Sequence, residues 1–420
     1  MKTVSRPENG HVGRREFITA TTAGVAAMGL VSPVTGKAAE LQAAPAQFPG
    51  TGRYLYVTNN LDKTVDVVDA SDGHRLVWSF PWVGAEGGVG GACAHPVQNR
   101  IYITHVGDHI VSAYNLGTGK LDWQVNTLEQ YGLRRPDRIT ITTDGQALYV
   151  PMNWSRETDG YTGWQNHVNM VLDASNGEKI TELSRPGRPH NNWTGEGGQY
   201  MYMGGRSDQT MVVADQKTHR IVKTIGQFNW PIRQFITDED ELYLYLTLTR
   251  TVGFGVGNIR AGTVLPDVPA ITPRERTRYW SASSSGGGGG RLPHGDGPWS
   301  HGLGMRPGGS KEVFVMDDEW GYLHVYDPKP NPAQPAFKGY IELFDRIDEP
   351  WAAHTGNRWV AFSLDGKYCY PSDGSVVDCE IGKKTSMTIA PSEKLLEVEF
   401  RGGRAVRCTG QQGGVYGQAV

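Results

Sequence analysis

The chain lacks most of the marks by which common activities announce themselves. It has four cysteines in 420 residues and neither a CxxC nor a CxxCH spacing, which argues against a thiol redox pair and a covalently attached haem. The body holds no run of eighteen strongly apolar residues, so a spanning helix is not expected. The net charge is −3 with no basic block, which removes the electrostatic footprint of a nucleic-acid binder. No P-loop, dinucleotide fingerprint, nucleophile elbow or HExxH pattern occurs. Few windows sustain a 3.6-residue apolar period, so helix is scarce.

What is present points to strands and turns. The 55 glycines, 24 prolines and 12 tryptophans suit many tight turns between half-buried strands. One stretch, "RYLYVTNNLDKTVDVVDASDGHRLVWSF", reads as three strands alternating around Tyr56, Val65, Val67, Leu76 and Trp78, with Asp72-Gly73 as the last turn. The same grammar returns along the chain, with an aromatic place at Tyr56, Tyr102, Tyr149, Tyr202, Tyr245, Phe314 and, less well, Cys369. Units of roughly 40 to 50 residues with four short strands each are the signature of a β-propeller.

The literal Tyr56-Val57-Thr58-Asn59, followed by a strand ending in Asp69 and a Gly turn, resembles the YVTN-type propeller repeat over nearly all of residues 52 to 409. That resemblance implies an all-β propeller of four-stranded antiparallel blades, the seven copies fit a seven-bladed ring, and function is left open because the repeat serves unrelated roles. The first copy lacks an innermost strand, and "KLLEVEF" near the C-terminus is expected to supply it and close the ring. "RGGRAVRCTG" then leaves an extra strand without a place, and an eight-bladed ring is the other reading.

The N-terminus, "GRREFITATTAGVAAMGLVSPV", resembles a twin-arginine export signal: Arg14-Arg15 and Phe17 precede a mild apolar run, with Ala44-Pro45-Ala46 as a small-x-small cleavage site. Residues 1–46 are therefore expected to be a signal peptide and residues 47–420 the propeller, working in the periplasm or outside the cell. Removing 1–46 takes the net charge to −5. An oxidising destination permits disulfides. Cys369 and Cys379 lie in adjacent expected strands and form a reasonable bridge, although Cys408 competes and three pairings stay open. An insertion at about 251–300, including a glycine run, either shapes the binding face or is a neutral loop.

Counting back from the aromatic place of each copy aligns the starts of the innermost strands, which line the central channel of a propeller. The aligned residues are Asp137, His190, Arg233, His301 and Arg358, with only Gly90 or Gly91 in the second copy. Two histidines, two arginines and an aspartate at one repeat place suggest a pocket for a carboxylate, phosphate or sulfate group, since arginine offers a bidentate fork. His190 and His301 are the candidate catalytic residues, as a neutral base or as ligands of a divalent metal ion. Arg233, Arg358, Asp137, His354 and Trp299 are the candidate ligand contacts; the bland alternative is a polar lining of a wet channel.

Weaker candidates are the His294, Asp296 and His301 group and the acidic trio Asp317, Asp318 and Glu319, which more often marks a solvated hairpin. His95, His105 and His109 fall on outer or solvent-facing strand positions and are set aside. Two functions follow: an exported binder or enzyme acting on a small anionic or polyhydroxylated ligand, of metal-assisted lyase or hydrolase type, or a non-catalytic module partnering a periplasmic oxidoreductase. Neither nucleic acid nor a stable membrane span is expected.

Overall fold

Alternation of apolar and polar residues in short runs, punctuated by Asp, Asn and Gly, gives strands of two to nine residues joined by tight turns. The computed structural model describes residues 48, 50–84, 88–155, 167–184, 187–249, 251, 253–270, 300–317, 321–343, 359–392, 394–411 and 414–417. Residues 1–46, expected to be an export signal, most of the insertion, His294, Asp296, Trp299, Asp318, Glu319, His354 and Arg358 lie outside the described residues.

Seven antiparallel sheets follow one another along the chain, forming a seven-bladed β-propeller with almost no helix. The eight-bladed reading is not what the structure shows. Blades two to seven are built in chain order from the axis outward, beginning with Val89–His95, Leu133–Pro136 with Thr140–Ile141, Pro189–Thr194, Ile232–Thr237, Ser300–Met305 and Val360–Phe362. The innermost strands of blades two, four, five and six are buried throughout, whereas outermost strands such as Lys383–Thr388 are largely exposed. Burial therefore falls from axis to rim.

The first blade closes the ring. The innermost of its three N-terminal strands, Gly52–Asn59, pairs inward with Leu395–Arg401, Tyr56 facing Leu396 and Gly52 facing Phe400. This is the closure that the sequence implied. The unplaced C-terminal stretch continues the same sheet further inward: Arg404–Thr409 pairs with Leu395–Arg401, and Val415–Tyr416 pairs with Arg404–Thr409. These extra strands meet the inner strand of blade two, with Cys408 Sγ 3.1 Å from the Ala94 carbonyl and the Gln411 amide donating to the Ala92 carbonyl.

The repeated tyrosine has a physical reason. Its ring packs in a blade and its hydroxyl reaches the next one: Tyr56 to the Leu116 carbonyl at 2.5 Å, Tyr102 to the Ala174 carbonyl at 2.9 Å, Tyr149 to His219 Nδ1 at 2.8 Å, Tyr202 to Glu241 at 2.7 Å and Tyr245 to the Pro332 carbonyl at 2.9 Å. A buried phenol needs such a partner. In the seventh blade the place belongs to Tyr370, not Cys369. Tyr370 pairs with His74 Nε2 of the first blade at 3.0 Å, and Tyr368 faces Asp378 as Tyr54 faces Asp69. Cys369 is one residue off and points to the other face of the sheet, among Phe314 and Phe362. Phe314 of the sixth blade, lacking a hydroxyl, packs edge-on against Phe362 at 5.2 Å.

Two further expectations are corrected. All four cysteines are free and buried. Cys369 faces Val377, so Cys379 is its diagonal neighbour; diagonal pairs sit about 7–8 Å apart, beyond the usual reach of a disulfide. His95 and His105 are buried, not solvent-facing, with Nε2 of each 3.0 Å from the Thr143 carbonyl and 2.8 Å from Ser112 Oγ respectively.

Candidate functional site

The starts of the innermost strands are where the ladders break. Register shifts fall between Val89 and Gly91, Pro189 and Asn191, Ile232 and Phe235, and Ser300 and Leu303. In the third blade the inner strand is interrupted across Asp137–Ile139. Bulges re-aim a side chain that a regular strand would bury between sheets. The residues at these breaks are Gly90, His190, Arg233, His301 and Asp137, which are the aligned set apart from Arg358, a residue outside those described.

Glycine in the second blade has a steric cause. A Cβ on Gly90 would lie 2.9 Å from the Pro136 carbonyl oxygen, and one on Gly91 would lie 2.6 Å from the Ile139 nitrogen. The third blade approaches too closely for a side chain there.

Asp137, His190, Arg233 and His301 are all buried. His190 Nδ1 lies 2.6 Å from Asp137 Oδ2. A carboxylate only accepts, so Nδ1 carries the proton and donates, leaving the Nε2 lone pair. Arg206 Nη2 sits 3.1 Å from Nε2 and 3.3 Å from Nδ1, and 3.7 Å from the Asp137 carboxylate. The His301 ring is 6.5 Å from that of His190 and stands edge-on to Trp359 at 5.0 Å. Arg233 Nε donates to Thr249 Oγ1 at 3.2 Å, its carbonyl accepts from the Asn191 amide, and Thr247 Oγ1 donates to the His301 carbonyl at 2.9 Å.

Burial, followed by the positive charge of Arg206, pushes His190 down to about 3 despite the opposing pull of Asp137; Arg233 adds to the depression. At neutral pH the imidazole is uncharged, so its contact with Asp137 is a charge-assisted hydrogen bond and not an ion pair. The arrangement is a positioned neutral base beside two cations. It suits an anion more readily than a metal, because Nδ1 is committed to Asp137 and a guanidinium stands against Nε2. Among the described residues no group of three His, Cys, Asp or Glu side chains could hold a metal ion. Asp317 is buried 3.3 Å from His324 Nε2, tied to that ring and not presented in a Ca²⁺ loop.

Arg206 was missed by the sequence reading. It follows Gly204 and Gly205 at the end of the second strand of its blade, and only innermost strands were compared. The double glycine was the available signal: a Cβ on Gly205 would lie 2.1 Å from the Gly187 carbonyl oxygen, so the chain is pressed against the segment that leads to His190. A cleft of about 380 Å³ lies elsewhere, lined by Asp238, Glu239, Tyr245, Met305, Lys311 and Lys329 between blades five and six. It shares none of the aligned residues.

No protein-family model matches the chain, and no curated protein matches it. Among solved structures it is similar to the dihydro-heme d1 dehydrogenase NirN in complex with DHE, at 14% identity and a TM-score of 0.52, over 89% of this chain and 77% of that one. That likeness is one of fold.

Proposed function

We propose that this chain is an exported β-propeller that binds, and in its neutral His190 has a base to transform, a small anionic ligand at the mouth of its channel. The observation that carries the reading is the Asp137–His190–Arg206 contact, made between separate blades with Arg233 and His301 beside it. An anionic group would lie against Arg206 and Arg233, and His190 Nε2, which accepts from Arg206 at 3.1 Å in the free protein, would take up a proton only once that guanidinium turns to the anion. Ligand binding is also compatible with NirN, the similar propeller, having been solved in complex with DHE. Export rests on Arg14-Arg15 and the segment after it.

The interaction-module reading has less support. Among the described residues the large exposed apolar side chains, such as Leu61, Val97, Ile180, Trp230 and Ile381, are spread over different blades, whereas a docking face gathers them. Thermal-shift screening of the mature protein against a panel of carboxylates and phosphate esters tests the proposal. A hit should stabilise the wild type and lose its effect in Arg206→Gln and Arg233→Gln. A panel without hits, or hits indifferent to both substitutions, would defeat the mouth as a ligand site.

A further inference from the structure

One residue beyond Asp137 stands Arg138, whose backbone is pinned by the second blade: a Cβ on Gly91 would lie 2.7 Å from the Arg138 Cα. Arg138 is 1% exposed, and among the described residues neither Nη1 nor Nη2 has a hydrogen-bond partner. Its guanidinium carbon lies 4.2 Å from the ring centroid of Trp359, at the start of the seventh blade. Lys394, 2% exposed and leading into the closing strand of the first blade, places Nζ 3.6 Å from the same ring. Two cationic centres from different blades are thereby held within about 8 Å of each other around one indole.

Among the described residues no carboxylate is hydrogen-bonded to Arg138, although the Asp137 charge acts on it. Asp137, next to it in the chain, spends Oδ2 on His190 and Arg206. The inner side is closed by the C-terminal strand, where Tyr416 is buried, stands 5.9 Å from the His95 ring, and shares a hydrogen bond with Thr194. Burial pulls the Arg138 guanidinium down to about 9 despite the opposing pull of Asp137 and Tyr416, so it still carries its charge at neutral pH. A buried, charged guanidinium with both terminal nitrogens idle is unfavourable unless something completes it, and attraction to an aromatic face offsets only part of the desolvation.

We propose that Arg138, Trp359 and Lys394 form a second anion subsite, one residue along the inner strand from the Asp137–His190 pair, which takes an oxyanion group of the carboxylate or sulfate kind on the idle edge of Arg138. Arg138 would grip it through Nη1 and Nη2, and Lys394 would add charge without a fork. This subsite stands without the mouth reading; if both hold, the ligand carries two anionic groups.

The test uses the full mature chain and sodium sulfate, titrated at constant ionic strength against sodium chloride, with melting temperature and calorimetric affinity as readouts. Wild type should show a saturable rise in melting temperature. Arg138→Gln should weaken sulfate binding about tenfold or more while melting no lower than wild type in chloride, because it removes a charge without a partner. Lys394→Gln should weaken binding by a smaller factor and offers a second variant. Arg206→Gln should retain a saturable sulfate response from this subsite alone, whatever the mouth contributes in the wild type, which separates the two. A response lost in Arg206→Gln but kept in Arg138→Gln would overturn the subsite and leave the mouth standing. An Arg138→Gln protein that melts far below wild type in chloride would also overturn it, since Arg138 would then be a structural partner.

Discussion

His190 Nδ1 and Asp137 Oδ2 meet at 2.6 Å across the boundary between the third and fourth blades. Neither residue is adjacent to the other in sequence, and each is placed by a break in its own ladder. The contact sets the tautomer of a buried imidazole whose other nitrogen accepts from Arg206 at 3.1 Å. Asp137→Asn should therefore preserve volume but remove the carboxylate that fixes Nδ1–H. Nitrogen NMR of labelled protein should show a single Nδ1–H tautomer in the wild type and a mixture in Asp137→Asn, with about tenfold weaker binding of whichever anion stabilises the wild type. An unchanged tautomer would mean that Asp137 does not orient the ring.

Acid should destabilise the fold earlier than carboxylate protonation would. His190 is held down to about 3 and His105 to about 4, in both cases chiefly by burial. An unfolded imidazole takes up its proton near pH 6.5 while these two stay neutral in the fold. Their contribution to stability is thus fully present above about pH 6.5 and falls as pH drops toward 4, by up to about 1.4 kcal/mol per pH unit for each proton. Urea midpoints taken between pH 7.5 and 4 should decline over this window, and His190→Asn should lessen the slope by about one proton. A flat profile down to pH 5 would contradict the buried neutral histidines.

Ring closure depends on Arg53. Its Nη1 lies 2.5 Å from Asp365 of the seventh blade, and its Nε lies 3.4 Å from Glu397 on the closing strand. Glu397 is fully buried, accepts from the Leu364 amide at 2.6 Å, and is pushed up to about 7 by burial despite the opposing Arg53 charge. Removing the guanidinium leaves a buried carboxyl with less compensation, so Arg53→Ala should destabilise the protein by about 1–3 kcal/mol in urea unfolding at pH 8. The double substitution Arg53→Ala with Glu397→Gln should recover part of that loss. Equal stability of Arg53→Ala and wild type would remove Arg53 from the closure.

The tyrosine links between blades should behave as independent hydrogen bonds. Tyr102→Phe and Tyr245→Phe each delete one hydroxyl; the first leaves the Ala174 carbonyl with only its longer contacts to Arg100 and Trp123 at 3.4 Å, and the second takes the Tyr245 bond from the Pro332 carbonyl. Each should cost about 1 kcal/mol, and the two should add, because they lie in different blade interfaces. Phe314 shows that the fold tolerates the missing hydroxyl at one place.

The ring was legible in the sequence because each blade must solve the same problem with the same residues: an aromatic between sheets, an Asp or Asn turn, and an inner strand buried on both faces. Closure by Leu395–Arg401 was legible for the same reason, since the first copy was one strand short. Period alone misplaced the seventh blade by one residue, because Cys369 and Tyr370 both suit a buried strand and only pairing separates their faces. Asp137, His190, Arg233 and His301 were found by position. Arg206 and Arg138 were not: one approaches from a second strand, and the other is the next residue along, which a single-position alignment passes over. A convergent site drawn from several strands exists in sequence only as separate residues.

The claim that the mouth receives an anion is tested most directly by diffraction from crystals soaked in sodium selenate, an oxyanion that reports its own position by anomalous scattering. The account predicts a selenium peak within hydrogen-bond reach of Arg206 or Arg233, beside the Asp137–His190 pair, and its loss in Arg206→Gln with Arg233→Gln. A mouth free of selenate at saturating concentration, with anions only on the outer surface, would contradict it.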